Sequence, residues 1–246
     1  VITYGAEGML ACRRQVDGSL QWKVETGKEF HVVPNFFGVG ASPVIYRKTS
    51  GSQNKLVIVQ VGGSARGESP ANPQRLDLVK GLDSGLVAFD IENGREVWRT
   101  SSELASYSTP LLHTFDGEDR LLAWMRDRLL LVDPESGAVK DSFFWRAEEL
   151  FSVVAATPVV HGVEVLLSET YGPGSVLLSI ENDLFVERRR DSPRSRHRNS
   201  LRCHWATPVL HEGCVYGTTG RNSGDALFVC ADWETGELHW KEPGLG

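Results

Sequence analysis

At 246 residues, with a net charge of −6 and 41% hydrophobic residues, the chain is long enough to bury a large core as one unit and has no basic excess. That balance excludes bulk nucleic-acid binding, which wants a basic surface, and no apolar run reaches membrane-spanning length. The four cysteines, Cys12, Cys203, Cys214 and Cys230, form neither a CxxC pair nor a zinc-like spacing.

In chain order, residues 1–34 hold a polar turn, Arg14 to Gly18, followed by Trp22. A first complete unit opens at Ala41-Ser42-Pro43-Val44-Ile45-Tyr46. It continues with an apolar run, Lys55 to Val61, a Gly/Pro/polar insertion, Gly62 to Ser84, and a second run, Gly85 to Asp90. The turn Asp90-Ile91-Glu92-Asn93-Gly94 and Trp98 close it. The second unit has Ser108-Thr109-Pro110, runs at Leu121 to Trp124 and Arg128 to Asp133, and the turn Asp133 to Gly137; Asp141 stands where the Trp is expected. The third has Ala156-Thr157-Pro158 and runs at Val163 to Ser168 and Val176 to Ile180, with Ile180, Leu184 and Arg188 read at the Asp, Gly and Trp places. The fourth has Ala206-Thr207-Pro208, runs at Val215 to Thr219 and Ala226 to Ala231, the turn Asp232 to Gly236, and Trp240.

Successive prolines of the repeated phrase are 67, 48 and 50 residues apart, the first interval stretched by the insertion. Periods of this size belong to propellers and solenoids. The runs are short, rich in Val, Leu and Ile and bounded by Gly, Asn or Asp, which reads as buried strands. Each period thus holds four strands, A at the Ser/Thr-Pro phrase through D at the Trp, the content of a β-propeller blade. The Asp bonds backbone two residues on and the Gly supplies positive φ, making a tight C–D turn. Proline is tolerated at the start of strand A, where a missing N–H costs least. The two units that lose the Trp are expected to dock to their neighbours less regularly.

The expected fold class is therefore all-β, a single array over 1–246. It divides into a partial blade (1–34), a blade with an insertion at 62–84 (35–103), a blade (104–148), a degenerate blade (149–200) and a blade (201–246). Cys12 and Cys230 share the repeat position of Ala88 and read as small core residues. Cys214 on strand B and Cys230 on strand C could face each other across the hairpin near Asn222, permitting a disulfide in an oxidising compartment.

The Ser/Thr-Pro-Val phrase, Leu-x-Ala-x-Asp on strand C, and Ser/Thr-Gly followed by Trp resemble the repeat of the PQQ-like propellers. That superfamily includes quinoprotein alcohol dehydrogenases and the outer-membrane assembly scaffold BamB. The resemblance implies a closed ring of seven or eight blades of which this chain supplies a part, and an extracytoplasmic, periplasmic location. It also implies that strand A is innermost, so that the segments before each Ser/Thr-Pro ring the channel mouth.

The B–C and D–A connections share one face and hold nearly every long segment. Binding residues concentrate on such loops. Asn35, Tyr107, Glu169, Tyr171, His204, Trp205, Arg221 and Asn222 are expected to converge there, a mixture suited to a polar or anionic planar ligand. Tyr107 and Trp205 alternatively pack between blades, Glu169 alternatively pairs with Arg221, and His204 alternatively is a hydrogen-bonded structural group. His113, His161 and His211 occupy turns and read as structural. Arg188 to Arg202 reads first as a solvated loop and second as an anion-binding or docking patch; Gly62 to Asp83 reads first as a surface insertion and second as a lid.

Two functions follow. The first is a non-catalytic scaffold presenting its loop face to a protein, peptide or glycan. The alternative, carried by the resemblance, is an oxidoreductase using pyrroloquinoline quinone with Ca²⁺, with Glu169 as the candidate catalytic base. The vicinal Cys-Cys pair typical of many such dehydrogenases has no counterpart in the sequence.

Overall fold

The computed structural model describes residues 1–47, 55–72, 75–150, 152–192, 201–221 and 224–244. They form an array of antiparallel sheets taken in chain order, a nearly all-β structure. A three-stranded sheet comes first: β1 (Ile2–Tyr4), β2 (Met9–Arg13) and β3 (Leu20–Glu25). Four four-stranded sheets follow. They are β4 (Val44–Arg47), β5 (Lys55–Gln60), β6 (Leu86–Asp90) and β7 (Glu96–Thr100); then β8 (Leu111–Phe115), β9 (Glu118–Trp124), β10 (Arg128–Val132) and β11 (Val139–Phe144). The third comprises β12 (Val159–His161), β13 (Glu164–Glu169), β14 (Gly174–Glu181) and β15 (Leu184–Arg190). The fourth comprises β16 (Val209–His211), β17 (Cys214–Thr219), β18 (Leu227–Asp232) and β19 (Leu238–Pro243). Every sheet is a meander in which sequential strands pair, and each Ser/Thr-Pro phrase leads directly into an A strand.

The middle strands of each sheet are apolar on both faces because each face meets a different neighbour. On β5, Val57 and Val59 pack toward the preceding sheet with Leu10, Trp22 and Phe89. Leu56 and Ile58 pack toward the following one with Leu121, Ala123 and Leu130. On β9 and β10, Leu122, Trp124, Leu129 and Leu131 meet Val165, Leu167 and Val176 of the next sheet. The two-residue strand period thus alternates between inter-sheet cores, which is why these segments read as continuous apolar runs.

The repeated hydroxyl also joins sheets. Ser42 N donates to Thr109 Oγ1 at 3.0 Å, and Thr157 N donates to Thr207 Oγ1 at 2.9 Å. The Ser/Thr before each Pro is therefore an inter-sheet link at the head of strand A.

A second link lies at the C–D turns. Asp90 Oδ1 accepts from Glu92 N and Asn93 N, and Gly94 closes the turn at φ +72°. The tryptophan of one sheet docks on this turn in the next: Trp22 Nε1 donates to the Ile91 carbonyl at 2.9 Å, and Trp98 Nε1 to the Pro134 carbonyl at 3.2 Å. A Cβ on Gly94 or Gly137 would stand 2.7 or 2.6 Å from the ring above it. Trp22 and Trp98 are each 8% exposed, whereas Trp240 is 45% exposed.

The degenerate units dock by other chemistry, and one residue needs correcting. In the regular sheets the Trp pairs across from the position just before a C-strand bulge: Cys12 with Trp22, Ala88 with Trp98, and Cys230 with Trp240. In the sheet of β12 to β15 that place pairs Leu177 with Arg189, so Arg189 rather than Arg188 takes the tryptophan position. The C–D turn there is a tight hairpin through Asn182 and Asp183, both at positive φ, and not the five-residue Asp-to-Gly form. The Arg189 guanidinium covers Gly236 and donates to the Trp233 carbonyl at 2.9 Å, reproducing both halves of the tryptophan contact. Asp141 accepts the Phe185 N–H at 2.7 Å, and Arg120 braces the same hairpin through a two-pronged pair with Asp183 at 2.7 and 2.9 Å. Docking in these units is polar but ordered, contrary to the expectation of irregularity.

Arg189→Ala is expected to lower stability by about 2 kcal/mol, since it removes a charge-assisted bond to a half-buried carbonyl. Arg188→Ala, which breaks only the exposed pair with Glu181 at 2.6 Å, is expected to change it by less than about 0.5 kcal/mol. Urea titration of the two variants measures the contrast.

The cysteines are free thiols. Register places Cys214 opposite Asp232 and Cys230 opposite Tyr216, so the two are diagonal neighbours and not a facing pair.

Candidate functional site

The B–C and D–A connections, with the strand ends feeding them, line two neighbouring cavities. The larger, about 920 Å³, lies against the first two sheets and includes Tyr4, Thr26, Gln60, Val61, Gly62 and Leu104 in its wall. Its polar floor is internally satisfied. Gln60 is buried, its Nε2 donating to the Ser108 carbonyl at 2.8 Å and the Trp124 carbonyl at 3.2 Å while its Oε1 accepts Ser106 N at 2.8 Å. The Tyr4 hydroxyl lies 2.8 Å from Thr26 Oγ1, and burial pushes its pKa up to about 12.

The smaller cavity, about 400 Å³, is lined by Asn35, Phe36, Phe37, Leu76, Arg126, Leu150, Ser152, Val153, Tyr171, His204, Trp205 and Arg221. Its rim is aromatic. Phe37 stands 5.6 Å from Trp205 and 5.8 Å from Tyr107 between ring centres, and Trp205 lies 4.3 Å from His204. Three of these rings are open to solvent: Phe36 is 68% exposed, Phe37 54% and Trp205 51%. Next to Trp205 the Tyr171 hydroxyl sits 3.0 Å from His204 Nε2, and the Arg221 guanidinium lies over the Tyr171 ring at 4.9 Å. Burial, helped by Arg221, holds His204 below the usual histidine range, so its neutral form is favoured.

The structure brings together five of the residues expected from sequence: Asn35, Tyr171, His204, Trp205 and Arg221 all line this cavity. Asn35 is also a turn residue, its Oδ1 accepting Phe36 N and its carbonyl accepting Gly38 N. Tyr107 lies beneath the rim, buried against Gly40, its hydroxyl accepting Phe37 N at 2.8 Å. Asn222 falls outside the described residues.

Glu169 does not face the mouth. It ends β13, is 2% exposed, and accepts Ala147 N at 3.2 Å; no ion pair joins it to Arg221 among the described residues. Its other oxygen, Oε1, is buried without a hydrogen-bond partner among the described residues. Burial raises its carboxyl to about 7 against the opposing pull of Arg146.

Phe36, Phe37 and Arg126 were not anticipated. The Phe-Phe pair sits in Pro34-Asn35-Phe36-Phe37-Gly38, two adjacent large rings in a turn that no strand alternation can bury, which is the signal that could have found them. Arg126, at a two-strand connection, shares the Asp127 carboxylate with Arg146: the contacts are 2.9 and 3.0 Å. Leu76, from the 62–84 insertion, reaches both cavities. Of the arginine-rich segment, Arg188 to Arg190 belong to strand β15, and residues 193–200 lie outside the described part.

The lining does not suit a calcium-held quinone. A hard cation wants several oxygen ligands. Among the described residues the side-chain oxygens of the smaller cavity come from Asn35, Ser152 and Tyr171, of which Asn35 Oδ1 and the Tyr171 hydroxyl already have partners, and no carboxylate lines it. No cluster of three or more His, Cys, Asp or Glu with metal-binding geometry occurs among the described residues.

Comparison with known proteins fits this architecture. The family model described as outer membrane protein assembly factor BamB matches residues 1–246. No curated protein matches significantly. Similar solved structures include BamB from Moraxella catarrhalis, with a TM-score of 0.61 and 15% identity over 98% of this chain and 60% of that one. The C-terminal domain of PilY1 from Pseudomonas aeruginosa gives 0.56 and 16%, over 96% and 58%. Saccharomyces cerevisiae Sqt1 gives 0.58 and 10%, over 97% and 56%. At such identities the likeness shows the fold, and the chain spans three-fifths or less of the length of each.

Proposed function

We propose, on the premise that this chain belongs to the family of the outer membrane protein assembly factor BamB, that it is part of a binding propeller whose loop-bearing face docks a protein partner. The observation that carries the reading is the open aromatic rim: three large rings, Phe36, Phe37 and Trp205, at least half exposed and gathered at one cavity. Exposed rings grouped in this way are costly to leave in water and characteristic of interaction surfaces. Buried aromatic anchors supply much of the affinity of protein interfaces. The family relationship supports a periplasmic, outer-membrane-associated setting and a protein rather than a small-molecule partner. No helix among the described residues is long and apolar enough to cross a membrane.

Replacing Phe37 and Trp205 together by Ala is expected to weaken association with a purified partner at least about a hundredfold, the loss of two anchors. Far-ultraviolet circular dichroism should stay unchanged, because both side chains stand outside the inter-sheet cores. Unchanged affinity in the folded double variant, measured by surface plasmon resonance, would contradict the proposal.

A further inference from the structure

The charge of the smaller cavity is one-sided. Among the described residues two guanidinium groups, Arg126 and Arg221, and no carboxylate line it. Arg126 shares the Asp127 carboxylate with Arg146, so two guanidinium groups meet one carboxylate there, while Glu103, which also lies near Arg126, faces Arg128 at 3.5 Å. Asp77, which lies near Arg126, is already held by Arg75 in a two-pronged pair at 2.8 and 2.9 Å. The Arg221 guanidinium rests on the Tyr171 ring, which orients it, and the Asp225 carboxylate accepts the Arg221 backbone N–H at 3.1 Å. Beside these cations stand the rings of Phe37 and Trp205 and the aliphatic side chains of Leu150, Val153 and Leu76.

Two demands therefore meet within one cavity. The apolar wall wants a large uncharged side chain, and the cationic wall wants an anion a few ångströms away. A volume of about 400 Å³ is near the low end for ligand sites, and suits a side chain and its neighbour better than a folded surface or an extended polymer. We propose that this cavity takes a peptide segment of the partner in which an aromatic or large aliphatic residue adjoins an aspartate or glutamate. The apolar side chain sits among Phe37, Trp205 and Leu150, and the carboxylate faces Arg221 and Arg126. The assignment rests on the binding-face reading above and adds its specificity. Charge complementarity selects an acidic over a neutral or basic segment, and truncating a cation should chiefly change that selection.

The test uses two probe peptides of eight residues, acetylated and amidated so that their ends are uncharged, identical except for Phe-Asp in one and Phe-Asn in the other. Each is titrated into the whole chain by calorimetry at low and moderate salt. The Phe-Asp peptide is expected to bind about tenfold more tightly, the worth of one charge-assisted contact, with the advantage shrinking as salt rises. Arg221→Gln should reduce the ratio of Phe-Asp to Phe-Asn affinity, and Phe37→Ala should weaken both peptides. Equal affinity of the two peptides, with both still weakened by Phe37→Ala, would overturn the acidic specificity and leave the binding face standing. Absence of binding by either peptide, or binding indifferent to Phe37→Ala and Trp205→Ala, would overturn the peptide site and the aromatic rim together.

Discussion

Gly137→Ala is expected to destabilise the chain by about 2–5 kcal/mol, while Gly117→Ala, a chemically identical change only twenty residues away in sequence, should cost about 1–2 kcal/mol. Both glycines hold positive φ, at +75° and +84°, so both pay the left-handed backbone penalty of roughly 1–2 kcal/mol per residue. Only Gly137 has a ring on it. Its new Cβ would stand 2.6 Å from the Trp98 six-membered ring, whereas nothing lies within 4 Å of one on Gly117. Relieving that overlap means tilting Trp98 away from the Pro134 carbonyl and parting two sheets, an overpacking cost of about 1–3 kcal/mol. Urea titration of both variants reads the difference. Equal losses would mean that the tryptophan does not clamp the turn.

Glu169→Gln is expected to stabilise the chain above pH 7 by about 3 kcal/mol, with no gain near pH 4. Burial raises this carboxyl from 4.5 to about 7. Between those values the folded state keeps a proton that the unfolded state releases, so stability falls as pH rises across the window and levels off above it. A shift of this size corresponds to about 3 kcal/mol. The amide cannot ionise, yet it can still accept the Ala147 N–H, so the variant should lose this decline with pH. Thermal unfolding at pH 4.5, 6 and 8 measures it. A wild-type chain more stable than Glu169→Gln at pH 8 would show that Arg146 holds the carboxylate ionised and outweighs burial.

The fold was legible because each sheet repeats the same physical devices. Ser/Thr-Pro marks the head of an A strand, the apolar runs mark strands covered on both faces, and Asp-to-Gly turns with Trp mark the docking of one sheet on the next. Where the pattern broke, sequence placed the substitute one residue off. The short Asn182-Asp183 hairpin shifts the count so that Arg189, not Arg188, inherits the tryptophan's place, and only the strand register reveals it.

The site was half legible. Connectivity put Tyr171, His204, Trp205 and Arg221 on neighbouring loops, and all four line the smaller cavity. Glu169 was misjudged because its chemistry drew attention from its position. It follows Leu166, Leu167 and Ser168 on the same strand, so the alternation that buries Leu167 buries Glu169 as well. Tyr107 likewise belongs to the packing beneath the rim. Arg126 was hidden by a connection too short to read as a loop, and its exposure to the cavity follows from how two sheets meet, which no local pattern encodes.

The central claim, that the aromatic rim is the docking face, is tested most directly by placing a photo-activatable phenylalanine analogue at Phe36 and, in a second variant, at Glu212. Glu212 is an exposed turn residue joining β16 to β17, and strand order puts it at the opposite end of its sheet. Irradiation in the native host cell should yield a discrete protein adduct from position 36, suppressed by Trp205→Ala, and none from position 212. Adducts from position 212 alone, or equal yields from both, would contradict the account.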